Sequence, residues 1–280
     1  TSHDEVAGAH WGSLVRRQED NSGILKLGNP GPVVDLLQRQ RYVSSYDRRN
    51  RVPHWVGEHL TLESLEAGEN VDRDKSSFKE DTAIPEIFRA LLKDYSGSGY
   101  DRGHMAPAAD ALATQEGMDE TFLLTNMSPQ VGNGFNRHYW AYLEGFVRDL
   151  TKNHTDVYVY TGPLFLPRSN QSGYVDIDQE KAGSAAVSGY FIQYPLLGDV
   201  PNVAVPTHFF KVILASSGSG DAYTLGAFVL PNEAIDSKTP LTDFQVKLDS
   251  VERVSGLQFF SELDRSSFGD LCSTDSCKLQ

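Results

Sequence analysis

Cysteine is nearly absent from this chain. Among 280 residues only Cys272 and Cys277 carry thiols, both in the closing stretch "LCSTDSCKLQ". Two such residues build neither a disulfide framework nor a four-cysteine zinc site. Their short separation permits one local disulfide in an oxidising compartment, with a structural or incidental role. Long apolar runs are missing too, and nothing approaches the ~18 consecutive residues of a membrane-spanning helix. The opening "TSHDEVAGAHWGSLVRRQED" lacks the apolar core of a secretory signal. Positive charge is in deficit: 25 Lys and Arg face 38 Asp and Glu, a net charge of −13. That balance excludes an indiscriminate, counterion-driven affinity for nucleic acid. The charge is uneven, however. "QRQRYVSSYDRRNRVPHW" holds Arg39, Arg41, Arg48, Arg49 and Arg51 against Asp47 alone, so a local basic face is expected there.

No internal repeat and no compositional break divides the chain. Residues 1–27 show little periodicity and read as a flexible arm, while residues 28–280 read as a single α+β domain. "GNPGP" marks the turn where order begins. "VVDLLQR" suggests a short helical segment, and "RYVSSYD" with "RVPHWVGEHL" a strand pair turning at "DRRN". "IPEIFRALLKDY" places Ile84, Ile87, Phe88, Leu91 and Leu92 at helical spacing after a proline. "ETFLLTNMSPQ" holds a strand-like apolar run. "FNRHYWAYLEGFVRDLTKN" is a helix whose stripe comprises Trp140, Leu143, Val147 and Leu150. "DVYVYTGPLFLP", "VAVPTHFFKVILAS" and "YTLGAFVLPN" are strands rich in β-branched and aromatic residues. "TDFQVKLDSVERVSGLQFFSEL" supplies a strand and a terminal helix.

Chemistry concentrates in "YDRGHMAPAAD". Hydrolysis of a phosphodiester needs a base for water, a cation for developing charge, and a hold on the leaving oxygen. His104 suits the base because imidazole titrates near neutrality. Gly103 lets backbone approach beside it, and Arg102 offers permanent positive charge to a phosphate. A bare Asp-Arg-Gly-His turn is more often structural than catalytic. Downstream, "NMSPQVGNGFNRHYWAYLE" adds Asn126, Asn136 and Glu144. Asn136, near a helix start, offers either a cap or a neutral oxygen ligand. Glu144, about two turns on, is too distant to share an inner coordination shell with it easily, and would act through the ion's water shell. Mg²⁺ fits, since it takes oxygen ligands and keeps several waters.

Together these stretches resemble the DNA/RNA non-specific endonucleases, a family of ββα-metal nucleases, and within it the fungal mitochondrial endonuclease G branch. "GNPGP", "RVPHWVGEHL", "SGYDRGHMAPAADA", "NMSPQVGNGFNRHYWAYLE", "TGPLFLP", "VPTHFFK", "FVLPNEAI" and "LTDFQV" follow its pattern in order, from Gly28 to the terminal cysteines. The resemblance implies a mixed antiparallel sheet flanked by helices, with a ββα-metal active-site motif in a single nuclease domain. It implies that His104 is the general base and Asn136 the sole direct protein ligand of Mg²⁺ or Mn²⁺. Glu144 would orient the water shell, Arg51 and Arg102 would grip the phosphate, and Asn126 would support the site. The implied reaction cleaves single- and double-stranded DNA and RNA, leaving 5′-phosphate and 3′-hydroxyl ends, in a homodimer. Met105 departs from relatives that often carry glutamine there, and Ser128 from those with cysteine.

The other histidines earn plainer roles. His138 lacks zinc spacing with His104 and reads as surface or helix-supporting. His208 reads as a hydrogen-bonded core residue, and His54 and His59 receive no role. Two alternatives stand beside the enzyme: an inactive nucleic-acid-binding protein on the same scaffold, and a secreted scavenging nuclease. The resemblance implies a mitochondrial address (intermembrane space or inner-membrane associated, with release to the nucleus), a targeting piece having been removed ahead of Thr1. A glycan on the Asn126-Met-Ser sequon would obstruct the expected site, which argues against secretion.

Overall fold

A sheet whose central strand is buried on both faces carries everything else. The computed structural model describes residues 33–169, 173–174, 176–178, 189–216 and 222–279. The expected arm, residues 1–27, lies outside them. The first strands are β1 (Asp35–Gln38), β2 (Val43–Asp47) and β3 (Val52–Leu60). After a single helical turn, α1 (Leu92–Tyr95), comes β4 (Tyr100–His104). Helix α2 (Gln115–Glu120), β5 (Met127–Val131), α3 (Trp140–Leu150) and β6 (Asp156–Leu164) follow. Five two-residue strands come next: β7 (Arg168–Ser169), β8 (Gly173–Tyr174), β9 (Tyr190–Phe191), β10 (Leu196–Leu197) and β11 (Val203–Ala204). The chain then forms β12 (His208–Ser216), β13 (Tyr223–Pro231), α4 (Leu248–Ser255), β14 (Gly269–Asp270) and α5 (Leu271–Thr274).

Seven strands join in the order β1-β2-β3-β6-β12-β13-β14, antiparallel throughout except for the parallel β13–β14 pair. Central β12 is buried along its whole length. Its two faces sort by parity, as a pleat demands. Phe209 and Ile213 meet Trp140 of α3, whereas Phe210 and Val212 meet Val251 of α4 and Phe259. The stripe of Trp140, Leu143, Val147 and Leu150 is buried as its spacing predicts. The mixed α+β architecture with antiparallel strands is thus present.

Three local expectations are corrected. "VVDLLQR" is not helical: β1 pairs with β2 from Asp35↔Tyr46 to Gln38↔Val43. A seven-residue segment gains too little from helix nucleation to outcompete an open sheet edge. "IPEIFRALLKDY" breaks into a 3₁₀ turn at Glu86–Phe88 and the single turn α1. Its backbone donors are taken elsewhere, Ala90 N by the Tyr46 hydroxyl and Leu91 N by Asp94 Oδ2, and Ile87 is exposed. The strand expected before the last long helix shrinks to one bridge, Phe228↔Gln245, and α5 follows α4.

Hairpin β4–β5 lies outside the large sheet and pairs Tyr100↔Val131 through His104↔Met127. From Val131 the chain passes through Asn133 and Gly134, the latter at φ 82°, into a wide-turned segment ending at Tyr139 that continues as α3. Glycine is needed at that bend: a Cβ there would stand 2.6 Å from Ala234 Cβ as well as in the left-handed region. Two strands and a helix in this succession form the ββα unit that carries the site.

Candidate active site

His104 closes β4 with its ring half-buried and its Nε2 shut off from solvent, without a partner among the described residues. Phe122 meets the imidazole edge-on at 4.9 Å and Phe78 at a tilt of 56° and 5.7 Å. Each phenyl ring also carries a guanidinium, Arg102 at 4.4 Å over Phe78 and Arg73 at 5.7 Å over Phe122. Two arginines and an imidazole are therefore mounted on one aromatic wall. Burial, reinforced by the Arg73 charge, pushes the imidazole down to about 3, so it is neutral at physiological pH. Gly103 beside it is sterically required, because a Cβ would lie 1.9 Å from Gln130 Oε1.

Opposite the wall, Asp101 organises the start of the helical segment. Its Oδ2 accepts from Asn136 Nδ2 at 2.9 Å and from Arg137 Nε at 2.8 Å. Burial works against that carboxyl's charge, but the bonds from Arg137 and Asn136 hold it below the usual carboxylate range. An ionised carboxylate only accepts, so it fixes the Asn136 amide with nitrogen inward and leaves Oδ1 as the free end. Gly132 makes room, since a Cβ there would press on both Asp101 oxygens at 2.8 Å.

Asn136 and Glu144 both line a cleft of about 460 Å³, together with Arg73, Asp101, Arg102, His104 and Arg137. Burial pushes Glu144 up to about 7, against the pull of Lys211. Behind it lies a charged layer. Arg148 pairs with buried Asp110 at 2.9 Å, burial and the Asp110 charge push buried Glu58 well above the usual carboxylate range, and Lys211 is 1% exposed.

Of the residues expected from sequence, the cleft brings together His104, Arg102, Asn136 and Glu144. Asn126 sits underneath, fully buried. Its Nδ2 donates to Ala106 O and Thr121 O, and its Oδ1 accepts from Ala106 N, which ties the loop after His104 in place. Asn126→Ala should lower stability by about 3 kcal/mol, since it leaves several buried backbone groups unpaired; urea midpoints measure this. The sequon there is sealed from any glycan.

Arg51 is not among the residues lining this cleft. It ends the β2–β3 turn at φ 59°, donates to Ile87 O at 2.9 Å and lies over Phe88. The basic face expected around it is largely spent on structure. Arg39 pairs with Asp81, Arg48 grips Asp35 through two bonds, and Arg41 donates to Ser64 O. Arg73 is the cation that sequence reasoning missed, hidden in the acid-rich "GENVDRDKSSFKED". No local pattern marks it, because only the fold lays the 3₁₀ turn Arg73–Lys75 against Phe122. The lesser histidines follow expectation: His138 Nδ1 accepts from Gly134 N, and His208 bonds the Thr207 hydroxyl.

The sequence profile of the DNA/RNA non-specific endonucleases matches residues 20–266. The chain belongs to this family. It is accordingly a nuclease, an enzyme and not only a scaffold. It is 64% identical to a nuclease of Syncephalastrum racemosum, over 93% of this chain and 78% of that one. Nuclease C1 of Cunninghamella echinulata var. echinulata is 57% identical, over 92% and 95% of the two chains. The mitochondrial nuclease of Saccharomyces cerevisiae is 47% identical, over 93% and 76%. Among solved structures, the endonuclease's fold matches a chain in the crystal structure of an EndoG/EndoGI complex. The TM-score is 0.75 at 45% identity, over 88% and 93% of the chains.

Proposed function

We propose that this endonuclease hydrolyses phosphodiester bonds of DNA and RNA, single- or double-stranded, with the help of Mg²⁺ or Mn²⁺. The observation that carries the reading is the convergence of a neutral imidazole, two ring-mounted guanidiniums, an oriented amide and a half-buried carboxylate on one cleft.

The residues fit a hydrated hard cation. Among the described residues no group of three or more His, Cys, Asp or Glu forms a metal cage. Among the described residues Asn136 Oδ1 has no hydrogen-bond partner, and Glu144 lines the same cleft. A neutral oxygen ligand and a carboxylate acting through waters suit a cation that dehydrates reluctantly. When bound, such an ion supplies charge neutralisation at the phosphate and the departing oxygen.

His104 accepts a proton from the attacking water, needing no prior deprotonation because it is already neutral. Arg102 and Arg73 hold the scissile phosphate and offset the charge it gains in the transition state. Their stacking on Phe78 and Phe122 limits side-chain freedom before substrate arrives. Asn126 keeps the His104 loop in place. Arg51, placed on Ile87 and Phe88, supports the β2–β3 turn in this scheme and does not grip the phosphate. In-line attack on phosphorus expels the 3′ oxygen and leaves 5′-phosphate and 3′-hydroxyl ends. Contacts to phosphate read no bases, so selectivity is weak.

Residues 28–280 would act as one nuclease domain, in a homodimer like those the family resemblance implies. The mitochondrial intermembrane space fits the address, given the mitochondrial nucleases among the relatives and the disulfide that joins Cys272 to Cys277. No helix among the described residues is long and apolar enough to cross a membrane.

Incubation with supercoiled plasmid and with a single-stranded RNA tests the activity. Both substrates should be cut in Mg²⁺ or Mn²⁺, remain intact in EDTA, and be cut again when metal is restored. Binding without cleavage in every metal would establish the inactive-scaffold alternative instead.

A further inference from the structure

Two buried polar atoms on the residues lining the cleft lack a hydrogen-bond partner among the described residues. One is His104 Nε2, which the proposed mechanism uses; the other is the hydroxyl of Tyr95, which it does not. Tyr95 ends α1 and is 5% exposed. The other buried tyrosines, Tyr42, Tyr46 and Tyr139, each donate to a backbone carbonyl, at 2.8, 3.0 and 2.7 Å. A buried hydroxyl without a bond costs stability that a phenyl ring in the same place would not. Tyr95 is therefore an exception, and it lies at the cleft.

Its placement is fixed on both sides. The Tyr95 carbonyl accepts from Ser98 N at 3.2 Å and Ser98 Oγ at 2.9 Å, closing the turn that leads into β4. Gly97 and Gly99, at φ 68° and 83°, supply the reversal. The ring packs in one cluster with Phe78 and Tyr100, and Phe78 in turn carries Arg102 at 4.4 Å and meets His104 at 5.7 Å. Tyr100, Arg102 and His104 alternate along β4, so the pleat sets them on one face about 7 Å apart. Successive phosphates of a nucleic-acid strand have a similar separation. With His104 and Arg102 at the scissile phosphate, the Tyr100 end of the row, where Tyr95 packs, falls at the next one. Burial raises the Tyr95 phenol well above its ordinary value, against the pull of Arg102, so it stays a donor.

We propose that Tyr95 is a substrate-binding residue whose hydroxyl donates to a non-bridging oxygen of the backbone phosphate adjoining the scissile one. This deepens the nuclease reading and rests on it for the identity of the ligand. The phosphate brings the acceptor that the fold withholds, and a charged acceptor makes the stronger kind of hydrogen bond. It carries no base information, so the contact favours any strand with a second phosphodiester, whether DNA or RNA.

Tyr95→Phe removes one oxygen and keeps the ring in its cluster, so the variant should fold. With the full chain in EDTA, where nothing is cleaved, fluorescein-labelled hexathymidylate should bind Tyr95→Phe about tenfold more weakly than wild type. The urea midpoint should stay the same or rise, because an unpaired group has gone. Equal affinity overturns the proposal. A lowered midpoint overturns it too, since it would give the hydroxyl a partner within the fold. Cleavage in Mg²⁺ then locates the contact. For the trinucleotide TpTpT, kcat/KM should fall about tenfold in Tyr95→Phe, while for TpT, which has a single phosphate, it should stay within about twofold of wild type. An equal loss on both substrates would put the hydroxyl at the scissile phosphate and overturn the assignment. Should the wild type bind the hexamer and cleave nothing, the nuclease reading fails, and the binding comparison still decides the Tyr95 contact.

Discussion

His104→Ala should lose about 10²–10⁴-fold in cleavage rate, the range for removing a positioned general base, while still folding and binding DNA. The ring touches Phe78 and Phe122 and makes no side-chain hydrogen bond through Nε2, so its loss leaves a gap in an aromatic wall and breaks no network. Plasmid-nicking kinetics measure the first effect and gel-shift titration the second. Near-normal nicking would remove His104 from the mechanism. The same residue has a signature in stability. Its pKa falls from 6.5 unfolded to about 3 folded, so between those values the unfolded chain holds a proton that the native protein refuses. Stability therefore declines as pH falls from 6.5 toward 3. His104→Ala should decline less steeply there.

Asn136→Ala should cost about 10²–10³-fold at a fixed Mg²⁺ concentration, as for loss of one preorganised polar group. Part of that loss should return at high metal concentration. The reason lies one residue back in the chain of contacts. Asp101 holds the amide nitrogen, so the amide oxygen is presented before any ion arrives. Asp101→Ala leaves the proposed ligand in place but removes the acceptor that orients it, and should weaken metal activation about 10–100-fold. Metal-activation curves for the two variants separate ligand from orienter. Curves that superimpose on the wild type would place the ion elsewhere.

The legible parts of this molecule are those whose signal is local. A helix with an uninterrupted stripe announces itself in a dozen residues, and β12 and β13 carry long apolar runs, whereas Asp-Arg-Gly-His announces its chemistry but reads as a turn and forms strand β4. Short apolar segments were ambiguous for a physical reason. Leu36 and Leu37 fit a helix face as well as a strand, and only the open edge of β2 decides between them. Ile87 kept helical spacing yet faces solvent, because Tyr46 and Asp94 claim the backbone donors around it. Among the cations, Arg51 looked prominent by neighbourhood, while Arg73 gained its place from the fold alone.

The terminal disulfide closes a ring of only a few residues, between Cys272 and Cys277. Short rings restrict an unfolded chain less than long ones. The same tail is held three further ways, by buried Leu271, by Cys277 itself in the main core cluster, and by His154 bonding Asp275 at 2.8 Å. None of the residues lining the catalytic cleft belongs to this tail. Thiol reagents in the surroundings should thus loosen a fastening that contributes no residue to the cleft lining.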